Sequence, residues 1–383
     1  MDLPATPAPA AQKPTLLIID DERGPRDALT MLLRHRFTIL TAESASAALD
    51  VLNSQPIDLI TLDQKLPDRQ GLDLLQDIKQ HHATVEVIII TGYGSLTSAL
   101  EGIRHGASGY LLKPFNVTEV LSLVNQTINK KQRLDFLRNF LKTSTGLWGS
   151  ETECAQDWNI LFAGYQAIGT TASDQLSHTE ERPNLLPILS DLLEAKDRQL
   201  LLHSSRVSAY ATLVGSRLNL TRTEQQSLAW GAFLHDIGKI SPDTPHPTGE
   251  AIAVAGEALG NPQHSEQGAK LMLSLGVAAE VGQIIAYHHE RWDGSGHPYG
   301  LKEAGIPQLA RIVCLAQAFD HLTEEHPGRT PLSLDEACQR LRAHAGTHFE
   351  PTLTELFVQA VQESKGSLPP MAITATPALR ASH

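Results

Sequence analysis

The sequence predicts an α/β domain of flavodoxin type with a parallel five-stranded sheet, then a helical linker, then an all-α domain. Three observations carry this reading. From residue 15, short apolar runs alternate with segments of helical spacing; charged residues stand at the ends of those runs; and beyond residue 186 the helical period continues with few strand-like alternations. At 383 residues the chain is long enough for two domains, each with its own core.

The five runs are TLLIIDD, FTILTA, IDLITLD, VEVIIITG and SGYLLKP, separated by helically spaced Leu, Ala and Ile. A doubly wound sheet of this kind places function at the carboxyl ends of its strands. Asp20 and Asp21 follow the first run, Asp63 the third, Thr91 the fourth and Lys113 the fifth. Carboxylates crowded at one rim repel one another unless a hard cation sits among them, and oxygen-only ligation suits Mg²⁺. An Asp there can act as nucleophile toward phosphorus while the metal and a Lys charge offset the developing negative charge. Asp68 and Asp73 read as surface acids.

The segments IIDDE (18–22), DQKLPDRQG (63–71), TGYG (91–94) and YLLKPF (110–115) occur in order and spacing. With them the chain resembles the response-regulator receiver family over residues 14–130. The resemblance implies that Asp63 is the phosphoacceptor, that Asp20 and Asp21 hold Mg²⁺ with the Lys65 backbone carbonyl, and that Lys113 contacts the phosphoryl group. Thr91 and Tyr110 would form the switch pair, and a sensor histidine kinase would be the phosphodonor's source.

Helical spacing runs on through Val117, Leu121, Val124, Ile128, Leu134, Leu137 and Leu141 until TSTGLWGS at 143–150 breaks it. This stripe suits either a homodimer through a two-stranded linker coil or a helix packed on its own domain. The expected organisation is a disordered tail at 1–13, the receiver at 14–130, a helical linker region at 131–185, the second domain at 186–363 and a disordered tail at 364–383.

Composition narrows the function. The chain is 41% hydrophobic and 19% charged, and no apolar run reaches membrane-spanning length. Three scattered Cys fit a reducing cytoplasm rather than a disulfide framework. A net charge of -12 argues against DNA as a partner. Of 17 His, twelve lie beyond residue 180, so imidazole chemistry belongs to the second domain.

The clearest helices there are 185–194, 199–217, 223–234, 267–274, 278–287 and 310–322. They carry His203, the pair His235 and Asp236, His264, and the pair His288 and His289. Imidazole with carboxylate suits Fe, Mn or Zn, and one Asp can bridge two ions. Adjacent buried imidazoles without partners or metal are costly. His246 and His344 read as structural.

The order His203-Ser-Ser-Arg206-Val, LHDIGK (234–239), His264 with Gly268, HHERWDGSGHP (288–298), IPQLARI (306–312) and GTHFEP (346–351) resembles the HD-GYP family over residues 186–360. The resemblance implies an HD-superfamily helical phosphodiesterase that opens cyclic di-GMP at two transition-metal ions, Fe or Mn before Zn. His203, His235, Asp236, His264, His288 and His289 would be the ligands. Lys239 would hold a phosphate oxygen, and Asp293, Gly294, Gly296 and Arg329 would lie against the nucleotide.

Several positions depart from the family pattern. Gln199 stands where trinuclear members have Glu, which favours two ions. Gln317 in AQAFDHLT replaces an Asp ligand, and Asp320 or His321, on the same helical face, is a candidate substitute. His297 replaces the signature Tyr, His326 and Arg329 replace the usual Arg and Lys, and residues 241–263 suggest a remodelled lid. Two alternatives follow: a catalytically weakened domain that senses cyclic di-GMP or binds a protein, and a phosphodiesterase for another cyclic dinucleotide.

Overall fold

A computed structural model describes residues 13–92, 101–168, 184–241, 263–325 and 330–364. The chain divides into two compact units, residues 1–133 and 134–383.

In the first unit, strands β1 (Thr15–Ile19), β2 (Thr38–Ala42), β3 (Leu59–Asp63), β4 (Glu86–Thr91) and β5 (Gly109–Leu112) form one parallel sheet in the order β2-β1-β3-β4-β5. Helices α1 (Arg23–Leu33), α2 (Ala45–Ser54) and α3 (Gly71–His81) connect the first four strands. Period-two alternation sorts the apolar side chains onto both faces. Leu17, Ile19, Ile60, Leu62, Val87 and Ile89 pack with α2 and α3, while Leu16, Ile18, Leu59, Ile88 and Ile90 pack with Leu29 and Leu33 of α1. Burial on both faces explains why these strands read as continuous apolar runs. Asp68 caps α2 from a distance, its carboxylate accepting the backbone N–H of Ala45 and Ser46 at 2.9 Å each. These bonds hold its carboxyl below the usual range.

Helix α4 (Val117–Thr143) runs across the division between the units. Val120, Val124 and Ile128 belong to the core of the first unit. Leu134, Leu137, Phe140 and Leu141 are buried in the core of the second. Leu134, Leu137 and Leu141 are thus covered by their own chain, as in the second of the two readings of the stripe.

The second unit continues with α5 (Glu151–Ala167), α6 (Leu185–Lys196), α7 (Arg198–Gly215), α8 (Arg222–Leu234), α9 (Gln263–Ser274), α10 (Ala279–Tyr287), α11 (Gln308–Thr323), α12 (Leu334–Ala343) and α13 (Pro351–Glu363). Helix α5 lies in a region without clear periodicity, yet Ser150 and Glu153 make a full capping box and Cys154, Trp158 and Leu161 are buried. Trp158 Nε1 donates to Ser274 Oγ at 3.3 Å, which ties α5 to α9. Helices α12 and α13 also go beyond the sequence reading, although their signals were present: a Ser333–Glu336 capping box and Pro351 in the first turn. No helix among the described residues is long and apolar enough to cross a membrane.

Candidate functional site

At the carboxyl rim of the first sheet, Asp63 ends β3, Thr91 ends β4, and Lys113 follows β5. The parallel register sets Asp63 beside Ile90 and Thr91 beside Leu112, so these residues share one edge. Lys113 Nζ donates to Asp20 Oδ2 at 2.8 Å and to Asp63 Oδ2 at 2.6 Å. Burial favours the neutral Asp20 carboxyl and prevails over Lys113, raising its pKa. For Lys113 burial works against the charge, but the bonds to Asp20 and Asp63 prevail and its pKa rises.

Oxygens of Asp20, Asp21 and Asp63 lie within 4.8 Å of one another, a spacing one cation can satisfy. Asp21 is exposed, whereas Asp20 and Asp63 are buried. The cleft beside them has a volume of about 610 Å³ and is lined by Asp21, Glu22, Asp63, Lys65, Lys113 and Phe115. Lys65 donates its backbone N–H to Asp63 Oδ1 at 3.3 Å. Thr91 is buried at the rim, and Tyr110 packs against the core on the α2 and α3 side, its hydroxyl without a hydrogen-bond partner among the described residues.

In the second unit the chain assembles a cage from four helices. His203 lies on α7, His235 and Asp236 close α8, His264 lies on α9, and His288 and His289 follow α10. Asp236 sits between the imidazoles. Its Oδ2 lies 3.4 Å from His235 Nε2, 3.8 Å from His203 Nε2 and 2.7 Å from Lys239 Nζ. Its Oδ1 lies 3.1 Å from His264 Nε2 and 3.8 Å from His288 Nε2. One carboxylate thus divides the ligand set, with His203 and His235 on one side and His264, His288 and His289 on the other.

Two backbone bonds orient this cage. His235 Nδ1 lies 2.8 Å from Ala232 O and His288 Nδ1 lies 2.7 Å from Ile285 O. A carbonyl can only accept, so each Nδ1 carries the proton and each Nε2 presents a lone pair. Both Nε2 atoms are buried without a hydrogen-bond partner among the described residues. His264 Nε2 and His289 Nε2 stand 3.1 Å apart. Imidazoles bound at right angles to one first-row ion at about 2.1 Å would stand about 3 Å apart.

Charge completes the fit. Burial, then the neighbouring imidazoles, hold His288 and His289 well below the ordinary histidine value, and burial lowers His203 as well. Neutral rings are the ligating form. Burial favours a neutral Asp236, but the Lys239 charge beside it keeps the carboxyl well below the usual range. Orphaned lone pairs around a buried carboxylate are what transition-metal ions require.

Close backbone approach makes the cage possible. A Cβ on Gly238 would stand 1.9 Å from the His264 carbonyl oxygen, so only glycine lets the segment after Asp236 press against α9.

Asp320 lies beside His203, and the two with His321 offer ligand atoms within 4.8 Å of one another. Its oxygens accept from His203 Nδ1 at 2.7 Å and from Arg206 Nε and Nη2 at 2.6 and 2.9 Å. Gln317 is buried, with Nε2 3.4 Å from His289 Nδ1. Gln199 is exposed in the first turn of α7.

The loop after the paired histidines is pinned by a residue the sequence reading passed over. Glu290 is buried, and its carboxylate accepts the backbone N–H of Tyr299 at 2.7 Å and of Leu301 at 2.9 Å. Its place beside a histidine pair was the available signal. Asp293 is exposed and accepts Ser295 N and Oγ at 2.9 and 2.6 Å, folding the loop on itself. Gly294 has φ +83°, and a Cβ on Gly296 would meet Arg291 N at 2.2 Å, so both shape this loop. His297 stacks on His289 with centroids 4.8 Å apart. Arg329, His326 and His246 lie outside the described residues, as do residues 242–262 of the lid expected at 241–263, residues 1–12 of the first tail and residues 365–383 of the second.

Comparison with known proteins agrees with this division. Residues 16–125 match the response regulator receiver domain, and residues 187–353 match the HD domain. The chain is 29% identical over 368 residues to a probable cyclic di-GMP phosphodiesterase of Vibrio cholerae, covering 90% of this chain and 77% of that one. It is 26% identical over 353 residues to a cyclic di-GMP phosphodiesterase of Thermotoga maritima, covering 91% of each. It is 25% identical over 358 residues to the cyclic di-GMP phosphodiesterase response regulator RpfG of Xanthomonas campestris, covering 90% of this chain and 87% of that one. The chain therefore unites a response regulator receiver domain with an HD domain that follows it.

Proposed function

We propose that this chain is a response regulator in which phosphorylation of Asp63 by a sensor histidine kinase controls hydrolysis of cyclic di-GMP at a two-ion centre. The observation that carries the reading is Asp236, whose two oxygens face different imidazole groups at 3.1 to 3.8 Å. The names of the relatives support the substrate.

On the HD side, His203, His235 and Asp236 would hold one ion, and Asp236, His264, His288 and His289 the other. A pair of Fe or Mn ions supplies Lewis acidity toward water and toward a phosphodiester. The protein's own contributions are orientation and charge. The bonds from His235 and His288 to backbone carbonyls keep their Nε2 lone pairs aimed inward. Lys239 places a positive charge 2.7 Å from Asp236 Oδ2 and would hold a phosphate oxygen.

On the receiver side, Asp20, Asp21 and Asp63, with the Lys65 carbonyl, would hold Mg²⁺. Lys113 already spans Asp20 and Asp63 and would follow the charge onto a phosphoryl oxygen. Thr91 and Tyr110 would relay the change.

A second reading, a nucleotide sensor without turnover, is favoured by Gln317, which brings no charge to the centre. The test is metal content and cyclic di-GMP turnover on the full chain, purified anaerobically and supplied with Fe²⁺ or Mn²⁺, with Asp236→Ala as control. Two ions and control-sensitive turnover are expected. Ligand binding without turnover would favour the sensor, and absence of metal would reject both ions.

A further inference from the structure

We infer that Asp320, clamped by Arg206, is the positioning residue that holds His203 in its ion-binding orientation, supplying from a neighbouring helix what His235 and His288 obtain from their own backbone. This rests on the two-ion reading proposed above and adds a role for a residue outside the ligand set.

The argument begins with a difference among the histidines. His235 and His288 sit where helices α8 and α10 end, so each reaches a carbonyl three residues earlier with Nδ1. His203 lies inside α7, where the backbone carbonyls are taken by the helical ladder. Its Nδ1 needs an acceptor from elsewhere, and Asp320 on α11 supplies it at 2.7 Å.

Asp320 can only accept. It is 1% exposed, and both of its oxygens are engaged by the guanidinium of Arg206. With this Arg206-paired carboxylate against Nδ1, His203 carries its proton there, leaving Nε2 as a lone pair toward Asp236 Oδ2, 3.8 Å away. A carboxylate behind an imidazole also raises its basicity as a ligand. The charge missing at Gln317 is thus present one helical turn later, placed behind His203.

The test uses the full chain and reads metal binding and tautomer rather than turnover. Mn²⁺ titration of the metal-stripped protein by calorimetry is compared with Asp320→Asn and Asp320→Ala. In parallel, ¹⁵N-histidine NMR of the metal-free protein, assigned with His203→Gln, reports the His203 tautomer. Wild type is expected to bind two ions and to show the Nδ1–H form. Both variants are expected to bind one ion about 10- to 100-fold more weakly, and Asp320→Ala to give a tautomer mixture. Unchanged affinity in Asp320→Asn, which keeps the side-chain volume, or an Nε2–H form in wild type would overturn the inference. Should wild type bind no metal, the two-ion function fails, while the tautomer still decides the role of Asp320.

Discussion

The side-chain amide of Gln317 lies 3.4 Å from Nδ1 of His289, on the ring edge opposite the Nε2 that faces His264. Gln317 therefore reaches the imidazole cage as a neutral neighbour. A carboxylate at the same position adds the anionic group that divalent ions favour. Gln317→Asp is expected to tighten Mn²⁺ binding by about tenfold and to raise any cyclic di-GMP turnover. Calorimetric titration beside the wild-type chain measures the first, and unchanged affinity would place Gln317 outside the centre's influence.

The receiver rim predicts a modification. Asp63 accepts from Lys113 at 2.6 Å and borders an open cleft, so a small phosphodonor such as acetyl phosphate has access. With Mg²⁺ present, intact-mass spectrometry should detect one added phosphoryl group. Asp63→Asn is expected to abolish it, and Lys113→Ala to reduce it strongly. Labelling that persists in Asp63→Asn would move the acceptor elsewhere.

Backbone contact between the Asp236 segment and α9 predicts a stability effect. Gly238→Ala puts a methyl 1.9 Å from the His264 carbonyl oxygen, and backbone on both sides must shift. The expected cost is about 1–3 kcal/mol, with loss of metal because His264 moves from Asp236. Urea unfolding and metal content read the two effects, and a variant of wild-type stability would contradict the packing.

His348 predicts a pH dependence away from the cage. Burial, with Arg291 and His344 nearby, lowers its pKa to about 3, against some opposition from Asp293. The folded chain keeps this ring neutral, while the unfolded chain takes up a proton below about 6.5. Its contribution is therefore fully present above pH 6.5 and is lost as pH falls toward 3. Because the residue is partly exposed, the slope should be at most about 1 kcal/mol per pH unit. His348→Gln should flatten unfolding free energy between pH 6.5 and 4.5 by that amount, and parallel curves would discount it.

Most of the first fold was legible because its signals are local. Strands such as Leu59–Asp63 are buried on both faces and read as apolar runs, and the charged residues that follow them mark the rim. The cage residues were legible for another reason: imidazoles paired with each other or with Asp are hard to bury without a ligand. Helix α5 was not, since its buried Cys154, Trp158 and Leu161 are mixed with other apolar side chains on exposed faces, such as Ile160. Glu290 went unnoticed because a place beside a histidine pair does not say that the amides of Tyr299 and Leu301, nine and eleven residues onward, will need an acceptor.

Residue type and spacing alone determined the sheet, the helical second half and the side chains capable of chemistry, since each depends on hydrophobic period or on donor identity. Which oxygen of Asp236 faces which imidazole, why Asp320 stands behind His203, and that Leu134 and Leu137 are covered by their own chain were decided only in three dimensions. The physical reason is the same in each case. A carboxylate or a leucine carries no mark of its partner, and the choice is made by helices far apart in sequence packing side by side.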